Sequence, residues 1–268
     1  MNRDDLLACA VEAARAAGDH ALRNVQRRGE VAQRFAHDVK LHLDLESQHK
    51  AEEVIRAAFP AHAILGEEKG VHVSGAEPPA ASGAEPLWII DPIDGTVNFS
   101  HGLPLWCSSV AVRVGEDVVA GAVYLPAMRE TYTAALGGPA LCNGQPIRVS
   151  GTARLEDALV LTGLPMKQDH DMPTLGIVRA VSPRVQKVRV MGAAAVDLCY
   201  VACGRADGYF ESGIYLWDVA AAGLVARQAG ARAEVIERLT DVRLRYICTN
   251  GRIHDALKEI VVGALKDA

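Results

Sequence analysis

The chain has 268 residues, enough for one large domain or two intimate lobes around a sizeable core. Half of the residues are hydrophobic and 23% are charged, which is a globular composition. A net charge of −5 with no Lys/Arg run leaves no footprint for nucleic acid, and no apolar run is long enough to cross a membrane.

The N-terminus, Met1-Asn2-Arg3-Asp4-Asp5, is acidic and leads into an amphipathic pattern rather than a signal peptide. Residues 3 to 28 read as a helix, with Leu6, Leu7, Ala10, Val11, Ala14 and Ala17 as its apolar stripe and Gly29 as its stop. A link holding Phe35 leads through Asp38 to a second helix over Asp44 to Ala58, which Pro60 ends. Asp44 suits the cap of that helix. His62 to Gly66 is a short strand, and Glu67-Glu68-Lys69-Gly70 leaves its end as a solvated turn or an acidic site. Residues 71 to 86, with Gly75, Pro78, Pro79, Ser82 and Gly83, read as a flexible surface loop.

Leu87 to Ile90 is a buried strand, and Pro92 cannot continue its ladder. Asp91 and Asp94 flank that exit, and Asp94-Gly95-Thr96 turns the chain into a helical start. Two carboxylates so close repel each other, and a hard cation such as Mg²⁺ removes the repulsion. The amides of Gly95 and Thr96 at the helix start form an anion site. Asp-Gly and Pro-x-Asp are also ordinary turn signals, so the spacing alone leaves a plain turn open.

Trp106 to Val114 and Val118 to Leu125 alternate as paired strands about Gly115-Glu116-Asp117, and Arg129 to Leu136 is a third. Gly137-Gly138-Pro139 and Asn143-Gly144 are turns. This half reads as two helices on an antiparallel sheet. Beyond Ser150-Gly151-Thr152 the pattern changes to short strands at Ala158–Leu161, Lys187–Val190, Gly208–Phe210, Ala231–Ile236 and Arg245–Thr249, with helices between them. That predicts a mixed sheet covered on both faces. Asp169 and His170 read as loop residues. Trp217-Asp218 opens a helix with a small face, Ala221 and Ala222, and Asp218 suits an N-cap. The six cysteines hold no C-x-x-C; Cys199 and Cys203 sit in an alanine-rich, helix-like run, which points to core packing rather than zinc. Reduced thiols fit a cytoplasmic protein.

The full string Asp91-Pro92-Ile93-Asp94-Gly95-Thr96-Val97-Asn98-Phe99 is far more specific than its parts, and it resembles the signature of the inositol monophosphatase family. Gly66-Glu67-Glu68 before it and Trp217-Asp218-Val219-Ala220-Ala221-Ala222-Gly223 after it resemble that family's other motifs, in the expected order. Haloacid-dehalogenase-type phosphatases place their two aspartates two positions apart; here the separation is three, which favours attack by metal-activated water over an aspartyl-phosphate intermediate.

The resemblance implies a layered α-β-α-β-α sandwich of α+β class, a single domain over 1–268 with lobes at about 1–150 and 151–268. It implies two or three Mg²⁺ ions held by Glu67, Asp91, the Ile93 carbonyl, Asp94 and Asp218. Glu67 and Thr96 would orient and deprotonate water, and Asp44 would stand near the outer metal, a role compatible with helix capping. Gly95, Thr96, Asp94, Asp218 and the Gly192-Ala193-Ala194 helix start would lie against the substrate, and Glu211 would accept its hydroxyls. The implied activity is hydrolysis of a small polyol phosphate, with inositol monophosphate first. Histidinol phosphate, fructose 1,6-bisphosphate and 3′-phosphonucleotides are the alternatives within the superfamily. A homodimer and lithium sensitivity are also implied. Leu41 and Leu43 stand where the family often has threonine, and Leu164 to Arg189 is short; both departures bear on substrate access.

Overall fold

The computed structural model describes residues 2–34, 39–68, 70–72, 85–164 and 173–266. Phe35, Asp38, Lys69, Asp169, His170 and the Gly/Pro/Ser-rich part of the surface loop (73–84) lie outside the described residues. Helix α1 (Arg3–Arg23) starts at Asn2, whose side chain accepts from the Asp4 amide, and buries Leu6, Cys9, Ala10, Ala13, Ala14 and Ala17. It ends before the Gly29 that the sequence suggested. The Asn24 side-chain amide donates to the His20 carbonyl at 2.9 Å, competes with the helical ladder, and leaves a 3-10 turn at Val25–Arg27. Strands β1 (Val31–Arg34) and β2 (Val39–Leu41) then pair antiparallel, and α2 (His42–Ala58) begins at His42 rather than Asp44.

The first sheet contains β3 (Ala63–Gly66), β4 (Gly70–His72), β5 (Pro86–Asp94), β6 (Cys107–Val114), β7 (Asp117–Leu125), β8 (Glu130–Ala135), β9 (Leu141–Cys142) and β10 (Gln145–Pro146). The short helix α3 (Thr96–His101) follows β5. The spatial order is β10-β9-β8-β7-β6-β5-β3-β4. Three expectations need correction. The sheet is not wholly antiparallel, because β3 and β5 pair in parallel, a neighbour relation that local sequence does not encode. Residues 71 and 72 are not loop but belong to β4, which pairs with β3 as an edge. Pro92 does not end β5 either: the register slips between Asp91 and Asp94, and that irregularity admits a residue with no amide to donate.

The second sheet is mixed, as the pattern suggested. It contains β11 (Leu159–Thr162), β12 (Lys187–Arg189), β13 (Gly208–Tyr215), β14 (Arg232–Arg238) and β15 (Arg243–Thr249) in the order β12-β11-β13-β15-β14. β11 is parallel to β12 and β13, and the remaining pairs are antiparallel. The intervening helices are α4 (Thr174–Val181), α5 (Ala194–Ala202), α6 (Leu216–Gln228) and α7 (His254–Lys266).

Side-chain alternation on the strands builds the apolar cores between five layers. On β5, Trp88 and Ile90 face α1 and α2 with Ala10, Ala14 and Ile55, while Leu87 and Ile89 face α5 and α6 with Leu198 and Leu224. On β13, Tyr209 joins that same central core, whereas Phe210 packs outward with Ile177 of α4 and Leu257 of α7. The result is the expected α-β-α-β-α sandwich. α5 and α6, rich in alanine, form the middle layer, and their small faces let both sheets close in. A Cβ on Gly121 of β7 would lie 2.9 Å from the Ala221 Cα of α6, so strand and helix backbones nearly touch there. All six cysteines are free; Cys199 is buried within α5 and Cys203 caps it, consistent with packing. Among the described residues no helix is long and apolar enough to cross a membrane.

Candidate active site

The end of β5 lies at the mouth of the central layer. Gly95 has a φ of 87°, and a Cβ there would stand 3.0 Å from both Ala193 Cβ and the Leu105 carbonyl oxygen. Glycine is therefore required at the turn that brings Asp94 and Thr96 against the segment before α5. Asn98 locks this approach by donating to the Leu105 carbonyl at 2.7 Å and the Met191 carbonyl at 2.8 Å. Ser108 of β6 donates to the Pro92 carbonyl at 2.6 Å, which accommodates the bulge.

Three carboxylates meet here. Asp91 and Asp94 come from β5 and Asp218 from α6, all buried, with one ligand oxygen from each lying within 4.8 Å of the others. Asp94 is gripped by the start of α5: its Oδ2 accepts from the Ala195 amide at 2.7 Å and its Oδ1 from the Ala194 amide at 3.3 Å. Asp218 accepts from the Tyr215 amide at 3.0 Å, and Asp44 accepts from the Leu41 amide at 2.6 Å. Neither is itself an N-cap, as the sequence suggested. Both sit in the first turn and reach back to the amide of the capping residue, which leaves the other oxygen turned elsewhere. Asp44 Oδ1 and Asp91 Oδ1 are buried with no hydrogen-bond partner among the described residues.

Electrostatics explain the strain of this arrangement. Burial pushes Asp91 well above the usual carboxylate range, and the charges of Glu67, Asp94 and Asp218 push it further. Burial does the same to Asp218, reinforced by Asp94 and Glu67. Burial raises Asp94 to about 6, although the Ala195 and Ala194 amides pull the other way. Burial also raises Asp44, against the pull of the Leu41 amide. A hard cation would favour all of these ionised forms at once, and the donor set is all oxygen, so the residues present fit Mg²⁺.

Glu67 leaves β3, with its amide bonded to the Ile90 carbonyl at 3.1 Å, and lines the same cavity of about 250 Å³ as Asp91, Ile93, Asp94, Gly95, Thr96 and Asp218. The Thr96 hydroxyl donates to the Ile93 carbonyl at 2.9 Å. Gly192, Ala193 and Ala194 form another wall, and Glu211 stands on the far side. Its carboxylate accepts from the Tyr209 hydroxyl at 2.6 Å; burial raises it to about 7 despite that bond. Of the residues singled out in sequence, only Asp44 is not among those lining the cavity.

Three contributors were given no role in the sequence reading. Lys40, at the rim, pairs with Glu68 at 3.1 Å; Asn98 has the locking role just described; and Asp197 of α5 lines the cavity. Asn98 and Asp197 stood inside strings that resemble the family's, though nothing in either string singled them out, and Lys40 has no local pattern that would do so.

A family model described as the inositol monophosphatase family matches residues 2–264. The chain belongs to the inositol monophosphatase family. Members similar to it include an inositol-1-monophosphatase of Mesorhizobium japonicum, 40% identical over 237 residues that cover 86% of this chain and 85% of the relative. A protein of Haemophilus influenzae named Nus factor SuhB is 39% identical over 228 residues, covering 84% of this chain and 83% of that one. Among solved structures, an inositol monophosphatase from Anabaena superposes with a TM-score of 0.84 at 33% identity, covering 98% of this chain and 97% of that one. The family fold therefore runs through both sheets of the chain.

Proposed function

We infer that this chain is a Mg²⁺-dependent phosphomonoesterase that hydrolyses a small polyol phosphate, with inositol monophosphate the foremost substrate. The observation that carries this reading is the convergence of Asp91, Asp94 and Asp218 within 4.8 Å, in one cavity with Glu67, Thr96 and Glu211. Glu67, Asp91, the Ile93 carbonyl, Asp94 and Asp218 are the proposed ligands for two or three Mg²⁺ ions. When bound, Mg²⁺ would neutralise the dianionic ester, acidify water and stabilise the leaving oxygen.

The chain's own groups then do the positioning. The Thr96 hydroxyl spends its proton on the Ile93 carbonyl, so its oxygen is left to accept from the attacking water. Glu67 takes the water's second proton as general base. Asp44, with a buried oxygen that has no partner among the described residues, would act beside the outer ligands. The amides of Gly95 and Thr96 would hold phosphate oxygens, and Gly192, Ala193 and Ala194 would flank the substrate. Glu211 accepts substrate hydroxyls, and its charge disfavours a second phosphate. A homodimer in the cytoplasm and lithium inhibition belong to the same reading.

The name Nus factor carried by the Haemophilus relative motivates a second reading, a non-catalytic regulator on the same fold. Such a module has no need of the paired Glu67 and Thr96. A phosphate-release screen decides between them, run over inositol 1-phosphate, histidinol phosphate, fructose 1,6-bisphosphate and adenosine 3′,5′-bisphosphate, with Mg²⁺ and with excess EDTA. Release from inositol 1-phosphate that stops in EDTA is expected. No release from any ester would favour the regulator, and full turnover in EDTA would overturn the metal mechanism.

A further inference from the structure

Asp197 lies in the first turn of α5, in the string Met191 to Leu198 that resembles the family's small-residue helix start, but the resemblance gave it no role. It is 1% exposed, yet it lines the cavity. Its Oδ1 is buried with no hydrogen-bond partner among the described residues. A buried acceptor left unmade keeps its full desolvation penalty, so such a group needs something from the cavity to complete it. The charges that reach it are those of Asp94 first and then Glu211. Among the described residues, Lys40 is the one lysine or arginine that lines the cavity, and Glu68 engages it at 3.1 Å.

We propose that Asp197 is a specificity residue: with Glu211 it forms a two-carboxylate wall that accepts hydrogen bonds from hydroxyl groups of the substrate's polyol. This rests on the phosphatase reading above and deepens it. Asp91, Asp94 and Asp218 gather where a cation and the phosphate belong; Asp197 and Glu211 line the same cavity outside that cluster, which leaves them for the part of the substrate that departs as alcohol. Ionised carboxylates only accept, so they match hydroxyl donors and repel a second phosphate. Glu211 is already oriented by the Tyr209 hydroxyl at 2.6 Å, which fixes where one substrate hydroxyl docks. Asp197, on a helix packed against the same strand's core, has no such protein partner for Oδ1 and takes the next hydroxyl.

The test compares kcat and KM for inositol 1-phosphate with those for p-nitrophenyl phosphate, which has no hydroxyl to offer, in the Mg²⁺-loaded protein. For Asp197→Ala the ratio of kcat/KM values, inositol ester over nitrophenyl ester, should fall at least about tenfold, chiefly through KM. Asp197→Asn keeps one acceptor oxygen but loses the charge, and the ratio should fall at least about threefold. The Asn variant keeps size and shape and serves if the Ala variant does not fold. A ratio unchanged in both, whether the two activities fall together or not at all, would overturn the proposal, because Asp197 would then act on the Asp94 region or not act. Wild-type protein inert toward both esters would instead overturn the phosphatase reading and this inference with it.

Discussion

Asp94 meets two amides of α5, the Cys107 thiol at 3.7 Å, and two neighbouring carboxylates. Its roles as turn residue and as cation ligand can be separated. Asp94→Asn keeps the size and turn capacity but removes one charge. The metal-free protein should hold its melting temperature or gain a little, because Asp91 and Asp218 then repel less. Activity should fall by about a hundredfold or more, the scale of a lost contact worth ~3 kcal/mol in the transition state. Melting curves and kcat with and without Mg²⁺ check this; near-normal kcat would remove Asp94 from the ligand set. Asp94, Asp91 and Glu67 were readable from sequence because each lies in a short string whose neighbours share the site. Asp197 shares a string with Gly192, Ala193 and Ala194, yet its role was not legible, because an aspartate in an alanine-rich helix looks like any surface acid until the fold buries it.

At the scale of elements, the position of Asp218 depends on how closely α6 lies on the first sheet. The backbones of Gly121 and Ala221 set that distance. Gly121→Val would force α6 away from β7, since the obstacle is backbone and cannot swing aside. Overpacking of this kind costs about 1–3 kcal/mol, so the melting temperature should drop and Mg²⁺ affinity should weaken along with activity. Calorimetry and a Mg²⁺ titration measure the two effects; a variant with wild-type Mg²⁺ affinity would show that α6 does not set the site. The small face of α6 was legible from Ala221 and Ala222, but its partner was not, because Gly121 sits in a strand pattern with no sign of what lies above it. The parallel pairing of β3 with β5 escaped for the same reason: periodicity tells which residues face inward and is silent on which strand lies alongside. The bulge at Pro92 ran against a sound rule about proline, and Ser108 is the residue that makes the exception tolerable.

For the whole molecule, the buried acids set how stability responds to pH. Asp94 moves from an ordinary 3.8 to about 6 on folding, and Asp91 and Asp218 are raised in the same direction by burial. Between those values the folded state binds more protons than the unfolded one, so stability present below about pH 4 is lost as pH rises through about 6. Without divalent metal, this cluster should lower the melting temperature between about pH 5 and about pH 8. Added Mg²⁺ competes with protons, so its stabilising increment should be larger at the higher pH. Thermal scans at both pH values, with Mg²⁺ or EDTA, test the sign; an Mg²⁺ increment that shrinks as pH rises would contradict it.

The three acids are contributed by a strand of the first sheet and a helix fed by a strand of the second, so elements far apart in sequence end on one point. An ion held there acts as a reversible cross-link that closes a very long loop, and its removal returns that closure entropy to the chain. Amide hydrogen exchange should register this. In EDTA, β5 and α6 should exchange at separate rates; with Mg²⁺ bound, both should slow toward one shared rate, because neither can open without releasing the ion.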